Sequence, residues 1–340
     1  MTLSRILGGI AMSLVAGTGF AADAPAALVV AQGGLGDGAW NDTANAGFEA
    51  GIAVTGLEGR AIESNDVVAQ GEEIMRRAAD AGFGLVLSLE YAHGEGMESL
   101  APDYPDTKWA IFNQTRAGDN IASVLFGEHQ GSYLAGVLAA QMTTTEGVEG
   151  INPEPILGVI PAIKSPGIDK FVVGFIQGAQ SVNPDIEVKV GYAETFGDPT
   201  KGEQMAKAMF ESGADIIYHV AGGTGLGVIA AAEATGHYAI GVDTNQDGLA
   251  PGHVLTSMVK RVDVATQQLV EHYANDSYPG GQTLVFGLTE NGVGLTDMQY
   301  TKEIVPAEYM EAVEAAKAGI IAGDIDVWDV SAQGYPDFYQ

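Results

Sequence analysis

Nine short apolar runs, most rich in β-branched residues, alternate with amphipathic or alanine-rich segments along this chain, and that alternation limits the folds open to it. The runs lie at 27–32, 60–64, 84–89, 108–113, 121–126, 156–162, 187–194, 215–222 and 238–243. Between them come stretches such as TANAGFEAGIAVTG, QGSYLAGVLAAQM and KGEQMAKAMFESG, whose spacing suits helices. Continuous apolar strands alternating with helices imply parallel sheets covered on both faces, an α/β architecture. The polar, turn-rich stretch TTTEGVEGINPEP (143–155) separates two such series, so two doubly wound lobes are expected rather than one sheet. Two later segments, NQDGLAPGHVL and NDSYPGGQTLVFG, read as further crossings. The expected division is 22–145 plus about 248–283 for one lobe, and 146–247 plus about 284–340 for the other.

The first 21 residues differ from the rest. One charge, Arg5, precedes the apolar run ILGGIAMSLVAG, and small residues end in a G-x-A step at Ala21. This is the layout of a cleavable secretory signal peptide, and the run is too short and glycine-rich for a good membrane span. The chain has no cysteine, which excludes disulfides, cysteine metal sites and a lipid-anchored cysteine after the leader. A soluble periplasmic protein is expected. A formal charge of −29 argues against nucleic acid and anionic membrane surfaces as partners, since both call for Lys and Arg clusters.

Open parallel sheets bind ligands beyond the carboxyl ends of their strands, so the residues after each run carry the functional reading. GGLGDGAWND follows the first run, and its Trp40 is either a cleft wall or a plug beneath the loop. Phe196 follows the seventh, and two aromatics from opposite lobes could sandwich a flat ring. Gly222, Gly223 and Gly225 follow the eighth, immediately before a helix whose free N–H groups could meet an oxygen, although a tight turn needs glycine in any case. Asp243 ends the ninth. Strand, G-x-G-x-x-A turn (225–230), helix, strand and acid also form the layout of a dinucleotide-binding fingerprint. DTNQDG imitates the start of a calcium loop, but Val254 stands where its last ligand should be glutamate. Lys260 reads as lying near a helix start. The histidines show no zinc spacing, and no G-x-S-x-G or P-loop is present. No cofactor and no metal are expected, and positive evidence for an enzyme is thin.

Taken together, WNDTANAGFEAG, VLFGEHQGSYLAGVLA, KFVVGFIQGAQSVNPDI, AGGTGLGV and IGVDTNQDGLAPGHVLTSMVKRVDVA resemble the basic membrane protein family of ABC-transporter binding proteins, whose best-described type is a purine nucleoside receptor. The resemblance covers nearly the whole mature chain. It implies a type I periplasmic-binding-protein fold with three crossings and a ligand in the hinge cleft, no enzymatic activity, a monomer, and an inner-membrane permease and ATPase as partners. It implies that Trp40 and Phe196 stack on a base, that Asp243 and Lys260 hold a ribose, and that Gly222 or Gly223 contributes backbone, with Asn41 beside them. The chain departs from the family at two acids, having Ala31 or Gln32 at the end of the first strand and Asn113 after the fourth. Carboxylates only accept hydrogen bonds, whereas amides also donate, so the base edge is expected to be read differently, with Glu90 and Tyr91 as substitutes. Nucleosides generally, or another ring-plus-polyol ligand such as riboflavin or a sugar, stay open as cargo; a nucleoside-processing enzyme or a ligand sensor is the contrasting class. A secretory leader weighs against a nicotinamide dinucleotide.

Overall fold

A computed structural model of the protein describes residues 24–339, so the expected leader at 1–21 lies outside the described residues. Two six-stranded sheets carry the architecture. The first contains β1 (Ala26–Val29), β2 (Gly59–Ile62), β3 (Leu85–Ser88), β4 (Lys108–Phe112), β5 (Ile121–Phe126) and β11 (Thr283–Phe286), in the order β11-β5-β4-β3-β1-β2. The second contains β6 (Ile156–Pro161), β7 (Glu187–Val190), β8 (Ile216–Val220), β9 (Tyr238–Asp243), β10 (Val254–Lys260) and β12 (Val293–Leu295), in the order β12-β10-β9-β8-β6-β7. Pairing is parallel throughout except between β10 and β12. Central strands such as β1 (AALV) and β8 (IIYHV) are buried at every position, whereas the edge strands β2 (GRAI) and β7 (EVKV) carry charge and stay partly exposed.

All nine expected strands are present, with ends displaced by a few residues. β10, β11 and β12 were not among them. The VLTSMV stretch before Lys260 is short and mixes Thr and Ser with aliphatics, yet it pairs with β9 as a buried strand, so Lys260 ends a strand instead of starting a helix. The helix that follows, α8 (Val262–Ala274), begins two residues later.

The remaining helices are α1 (Trp40–Thr55), α2 (Gly71–Asp80), α3 (Gly94–Leu100), α4 (Glu128–Met142), α5 (Pro166–Val182), α6 (Pro199–Glu211), α7 (Gly223–Thr235), α9 (Ala307–Ala322) and α10 (Val330–Gln333). Glycines let several of them touch backbone to backbone. A Cβ at Gly136 of α4 would collide with the Phe175 carbonyl of α5, and one at Gly178 of α5 with the Tyr133 carbonyl of α4. That close fit, with 12 buried residues around α4, sets α4 on the second lobe. Gly47 and Gly51 do the same for α1 against α8, where Thr266 Oγ1 also donates to the Ala44 carbonyl at 2.9 Å. Helix α8 therefore belongs with the first lobe.

These contacts locate the three crossings: after β5 (Phe126) into α4, between β10 and α8 (Lys260 to Val262), and between β11 and β12 (Phe286 to Val293). The expected boundaries shift accordingly. Segment 143–155 joins α4 to β6, and NQDGLAPGHVL (245–255) joins β9 to β10, both inside the second lobe; only the stretch ending in LVFG leads into a crossing. All three crossings are laced together. Gly127 N–H donates to the Phe286 carbonyl (3.0 Å), Leu288 N–H to Gln130 Oε1 (3.0 Å) and Arg261 N–H to the Gly292 carbonyl (2.8 Å).

Candidate functional site

The carboxyl ends of both sheets meet at one cavity of about 290 Å3. Residues following β1, β3 and β4 line it from the first lobe, and residues following β6, β7 and β8, with the last residues of β9 and β10, from the second. In the first sheet β1 lies between β2 and β3, and in the second β6 lies between β7 and β8; these strand-order reversals are where an open sheet leaves a crevice. The lining is mostly apolar, from Leu89, Ile163, Ile168, Phe171 and Val220, with a few polar groups among them. That is the composition of a small-molecule site, at the lower end of the usual range of about 300–1,000 Å3.

Trp40 is the first residue of α1 and lines the cavity from the first lobe. It is held edge-on to Phe112 (6.1 Å, 80°) and Phe126 (6.2 Å, 87°). The loop before it closes on Asp37, whose carboxylate accepts from the N–H groups of Ala39, Asn41 and Asp42 at 2.9–3.2 Å. Burial still raises the Asp37 pKa above the usual range, with these backbone donors opposing it. Asn41 does not reach the cavity, contrary to expectation. It is fully buried under the loop, accepting from the Ala31 N–H (2.9 Å) and donating to the Gln32 carbonyl (3.2 Å) and Asp37 (3.1 Å). Every polar atom of its amide is spent on shaping the glycine loop.

Phe196 lines the cavity from the second lobe. Its backbone carbonyl accepts from Thr224 N–H (3.1 Å), which pins it to the start of α7. Gly222 lines the cavity at φ 52° and ψ −132°, a conformation that effectively requires glycine, and a methyl there would sit 3.7 Å from Phe196 Cδ1. Gly223, the first residue of α7, lies behind it, outside the lining. Gln32, Glu90 and Tyr91 all line the first-lobe side. Glu90 uses its carboxylate locally, accepting from Gln32 N–H (3.1 Å) and Ala92 N–H (3.2 Å). The Gln32 side chain has no hydrogen-bond partner among the described residues.

The polar centre is a buried ionic group. Lys260 Nζ lies 2.7 Å from Glu128 Oε1 and donates to Asn113 Oδ1 at 2.9 Å. Glu128 Oε2 meets Lys170 Nζ at 2.5 Å. Burial pushes the Glu128 carboxyl up, but Lys170 and Lys260 outweigh it and leave the pKa at about 2. Burial lowers the Lys260 ammonium pKa, against the pull of Glu128 and Asp243. That ammonium also lies 4.1 Å from the Trp40 ring centroid, 4.7 Å from Phe126 and 5.6 Å from Phe171. Such contacts contribute up to about 2 kcal/mol when desolvated.

Asp243 is the complement. It lines the cavity at φ 66° and is only 7% exposed, yet its carboxylate accepts no hydrogen bond among the described residues. Burial raises its pKa to about 7, with Lys260 opposing. A buried carboxylate left without donors is costly unless a ligand supplies them. Asp247 of the calcium-like segment is spent elsewhere, accepting from Ser257 Oγ (2.7 Å) and Thr296 Oγ1 (3.0 Å).

Sequence reasoning missed Glu128, Lys170 and Phe171. For Glu128 and Lys170 the signal was charge inside an otherwise apolar helix: GEHQGSYLAGVLAA and DKFVVGF carry ionisable groups on faces that have no solvent to meet.

Residues 24–329 match the family model described as "ABC transporter substrate-binding protein PnrA-like". A CD4+ T-cell-stimulating antigen of Listeria monocytogenes is 31% identical over 326 residues, covering 90% of this chain and 88% of its own. An ABC transporter nucleoside-binding protein, BmpA, of Lactococcus lactis subsp. cremoris is 29% identical over 326 residues, covering 90% and 89%. Among solved structures, a solute-binding protein of an ABC transporter system from Aeropyrum pernix K1 superposes with a TM-score of 0.81 at 26% identity, over 90% of this chain and 93% of that one.

Proposed function

The chain belongs to the PnrA-like family of ABC-transporter substrate-binding proteins, which are extracytoplasmic receptors and not enzymes, and on that premise we propose that it binds a nucleoside in the interlobe cavity and hands it to an ABC permease. The observation that carries this reading is Asp243: a buried carboxylate without a protein donor, next to an ammonium, in a cavity with aromatic walls from both lobes. Vicinal hydroxyls would give Asp243 the donors it lacks, while Lys260, with two of its three N–H groups directed at Glu128 and Asn113, keeps one for a hydroxyl oxygen. Trp40 and Phe196 would then hold the planar base. The nucleoside-binding protein of L. lactis supports the same cargo class.

A two-lobed body with three crossings that can hinge supports a receptor that closes on its cargo and opens to release it. A monomer released into the periplasm is the matching expectation.

A thermal-shift screen of purine and pyrimidine nucleosides, free bases, riboflavin and sugars tests the reading. A nucleoside at a hundredfold excess over its Kd stabilises the folded form by about 2.7 kcal/mol, a readily measured shift. Stabilisation by riboflavin or a sugar alone would move the cargo to another ring-plus-polyol class, and steady release of free base from a bound nucleoside would contradict a receptor.

A further inference from the structure

Resting on the reading of the interlobe cavity as the cargo site, we propose that the C-terminal tail (326–339) positions the second-lobe wall of that cavity: Tyr335 and Tyr339 close on Asp169 and Tyr192 and so hold the two segments that present the wall to the cargo. Ile163, Ser165, Gly167, Ile168 and Phe171, between the end of β6 and the second turn of α5, line the cavity, and Phe196 lines it from the loop after β7. The residues between them turn the other way. Lys164 faces the rings of Tyr335 and Tyr339, the Pro166 carbonyl accepts from Ser331 Oγ at 3.4 Å, and Asp169 meets Tyr335. Tyr192, four positions before Phe196, meets Tyr339.

These contacts converge on one carboxylate. Asp169 is fully buried; its Oδ1 accepts from the Tyr192 hydroxyl at 2.6 Å and its Oδ2 from the Tyr335 hydroxyl at 2.7 Å. The single Tyr192 proton goes to Asp169, so at the contact between the two hydroxyls Tyr339 donates and Tyr192 accepts. Burial, reinforced by Asp169, raises the pKa of Tyr192 and of Tyr335, which keeps both hydroxyls protonated as donors. The rings of Tyr335 and Tyr339 stack, and the ammonium of the exposed Lys164 lies 5.9–6.0 Å from the centroids of Tyr192, Tyr335 and Tyr339. Hydrogen bonds to an ionised acceptor are roughly twice as strong as neutral ones, so the carboxylate is the centre of the clasp.

Little else fixes this stretch of wall. The Ala162 N–H donates to the Val220 carbonyl at 2.9 Å, which anchors the chain as it leaves β6. Beyond it, among the described residues, no hydrogen bond joins 163–165 to another segment; the Ser165 carbonyl accepts only from the nearby Ile168 and Asp169 N–H groups. The tail has a second anchor that serves as a control. Gln177, two turns further along α5 and outside the cavity lining, donates through Nε2 to the Asp326 carbonyl and accepts at Oε1 from the Trp328 N–H, both at 2.8 Å.

Calorimetric titration with adenosine, inosine, uridine and cytidine, together with hydrogen exchange of the unliganded protein, compares the wild type with Tyr335→Phe/Tyr339→Phe and with Gln177→Ala. The tyrosine variant keeps both rings and loses only two hydroxyls. It is expected to bind the nucleoside about two- to thirtyfold more weakly, the range of coupling carried through packed segments, and to exchange faster at 163–168 and 192–197. Gln177→Ala is expected to lower the unfolding midpoint and leave affinity unchanged. Unchanged affinity in the folded tyrosine variant, or an equal loss in Gln177→Ala, overturns the proposal while the nucleoside reading survives. Should the double variant not fold, Tyr335→Phe alone carries the same test. If none of the four nucleosides binds the wild type, the nucleoside reading falls and exchange decides this inference alone: an unmoved rate at 163–168 overturns it.

Discussion

Glu128 Oε1 lies 2.7 Å from Lys260 Nζ, joining the first residue after one interlobe crossing to the last strand residue before another. With Lys170 on the second carboxylate oxygen, the carboxylate is shared by two buried ammoniums. The pair therefore connects the hinge to the cavity: the group that touches a ligand hydroxyl in the proposed mode is the same one that fastens two connecting strands.

Glu128→Ala removes the anion and leaves two ammoniums buried without it. Breaking one partner of a buried ion pair costs about 3–5 kcal/mol, and denaturant unfolding should show a loss of that order. Affinity for the cargo should fall as well, since Lys260 would lose the contact that positions it. If Glu128→Ala unfolds at the wild-type denaturant midpoint, the ion pair contributes nothing net to the fold.

In the proposed mode, Asp243 should make binding pH-dependent. Its carboxyl is raised to about 7 by burial, and ligand hydroxyls donate to the ionised form. Affinity should therefore rise as pH rises through about 7, weakening by up to about tenfold per unit below it. The unliganded fold should behave the opposite way. Asp215 is also raised to about 7, chiefly by burial, and such acids contribute stability that is fully present below 3.8 and lost as pH climbs through 7. Glu128, at about 2, contributes stability above 4.5 that is lost only as pH falls through 2. Titrating the cargo from pH 5.5 to 8 checks the first point, and Asp243→Asn should flatten that profile while weakening binding throughout. A flat wild-type profile would remove Asp243 from the site.

Trp40 should report the cargo optically. Of the three tryptophans, Trp109 is fully buried and Trp328 is tied to the Gly334 carbonyl, and neither lines the cavity. Quenching or a spectral shift on binding is expected from Trp40 alone and should vanish in Trp40→Phe. Trp40→Ala should cost roughly 1–3 kcal/mol of binding, the usual value of one stacking face, with some further loss from the Lys260 contact. A response that persists in Trp40→Phe would place the ligand elsewhere.

Much of this was legible in the linear chain because it is local. Strands β1 to β9 announce themselves as apolar runs; Trp40 begins the helix after β1, Phe196 and Gly222 fall between β7 and β8 and the helices after them, and Asp243 ends β9, where an α/β sheet puts its ligand. What could not be read depends on packing between distant segments. Lys260 read as lying near a helix start because VKRVDV suggests one, and only the pairing of β10 with β9 makes it the buried end of a strand. Glu128 and Lys170 lie 42 positions apart, and only the glycine-mediated approach of α4 to α5 brings them together. Asn41 follows a cavity-lining tryptophan, yet the turn of α1 directs it under the loop instead.

Gln246 bridges the two lobes, and its geometry leads to a prediction about release. Its Oε1 accepts from the Val242 N–H (2.9 Å) and faces His219 Nε2 at 2.8 Å, so its amino group must point outward, where it donates to the Gly38 carbonyl of the first lobe at 2.9 Å. Burial lowers the His219 pKa to about 4, so that ring is neutral near neutral pH and can donate through Nε2. Gln246→Glu preserves the two internal contacts and replaces the outward donor with an acceptor aimed at a carbonyl. Loss of that hydrogen bond plus an unsatisfied buried oxygen costs about 1–3 kcal/mol, so release of the cargo at pH 8 should accelerate by roughly fivefold to a hundredfold. The association rate should change little, since mutations within one interface act mainly on dissociation. Stopped-flow release of the bound nucleoside measures both; a release rate equal to the wild type would mean that this bond does not hold the lobes together.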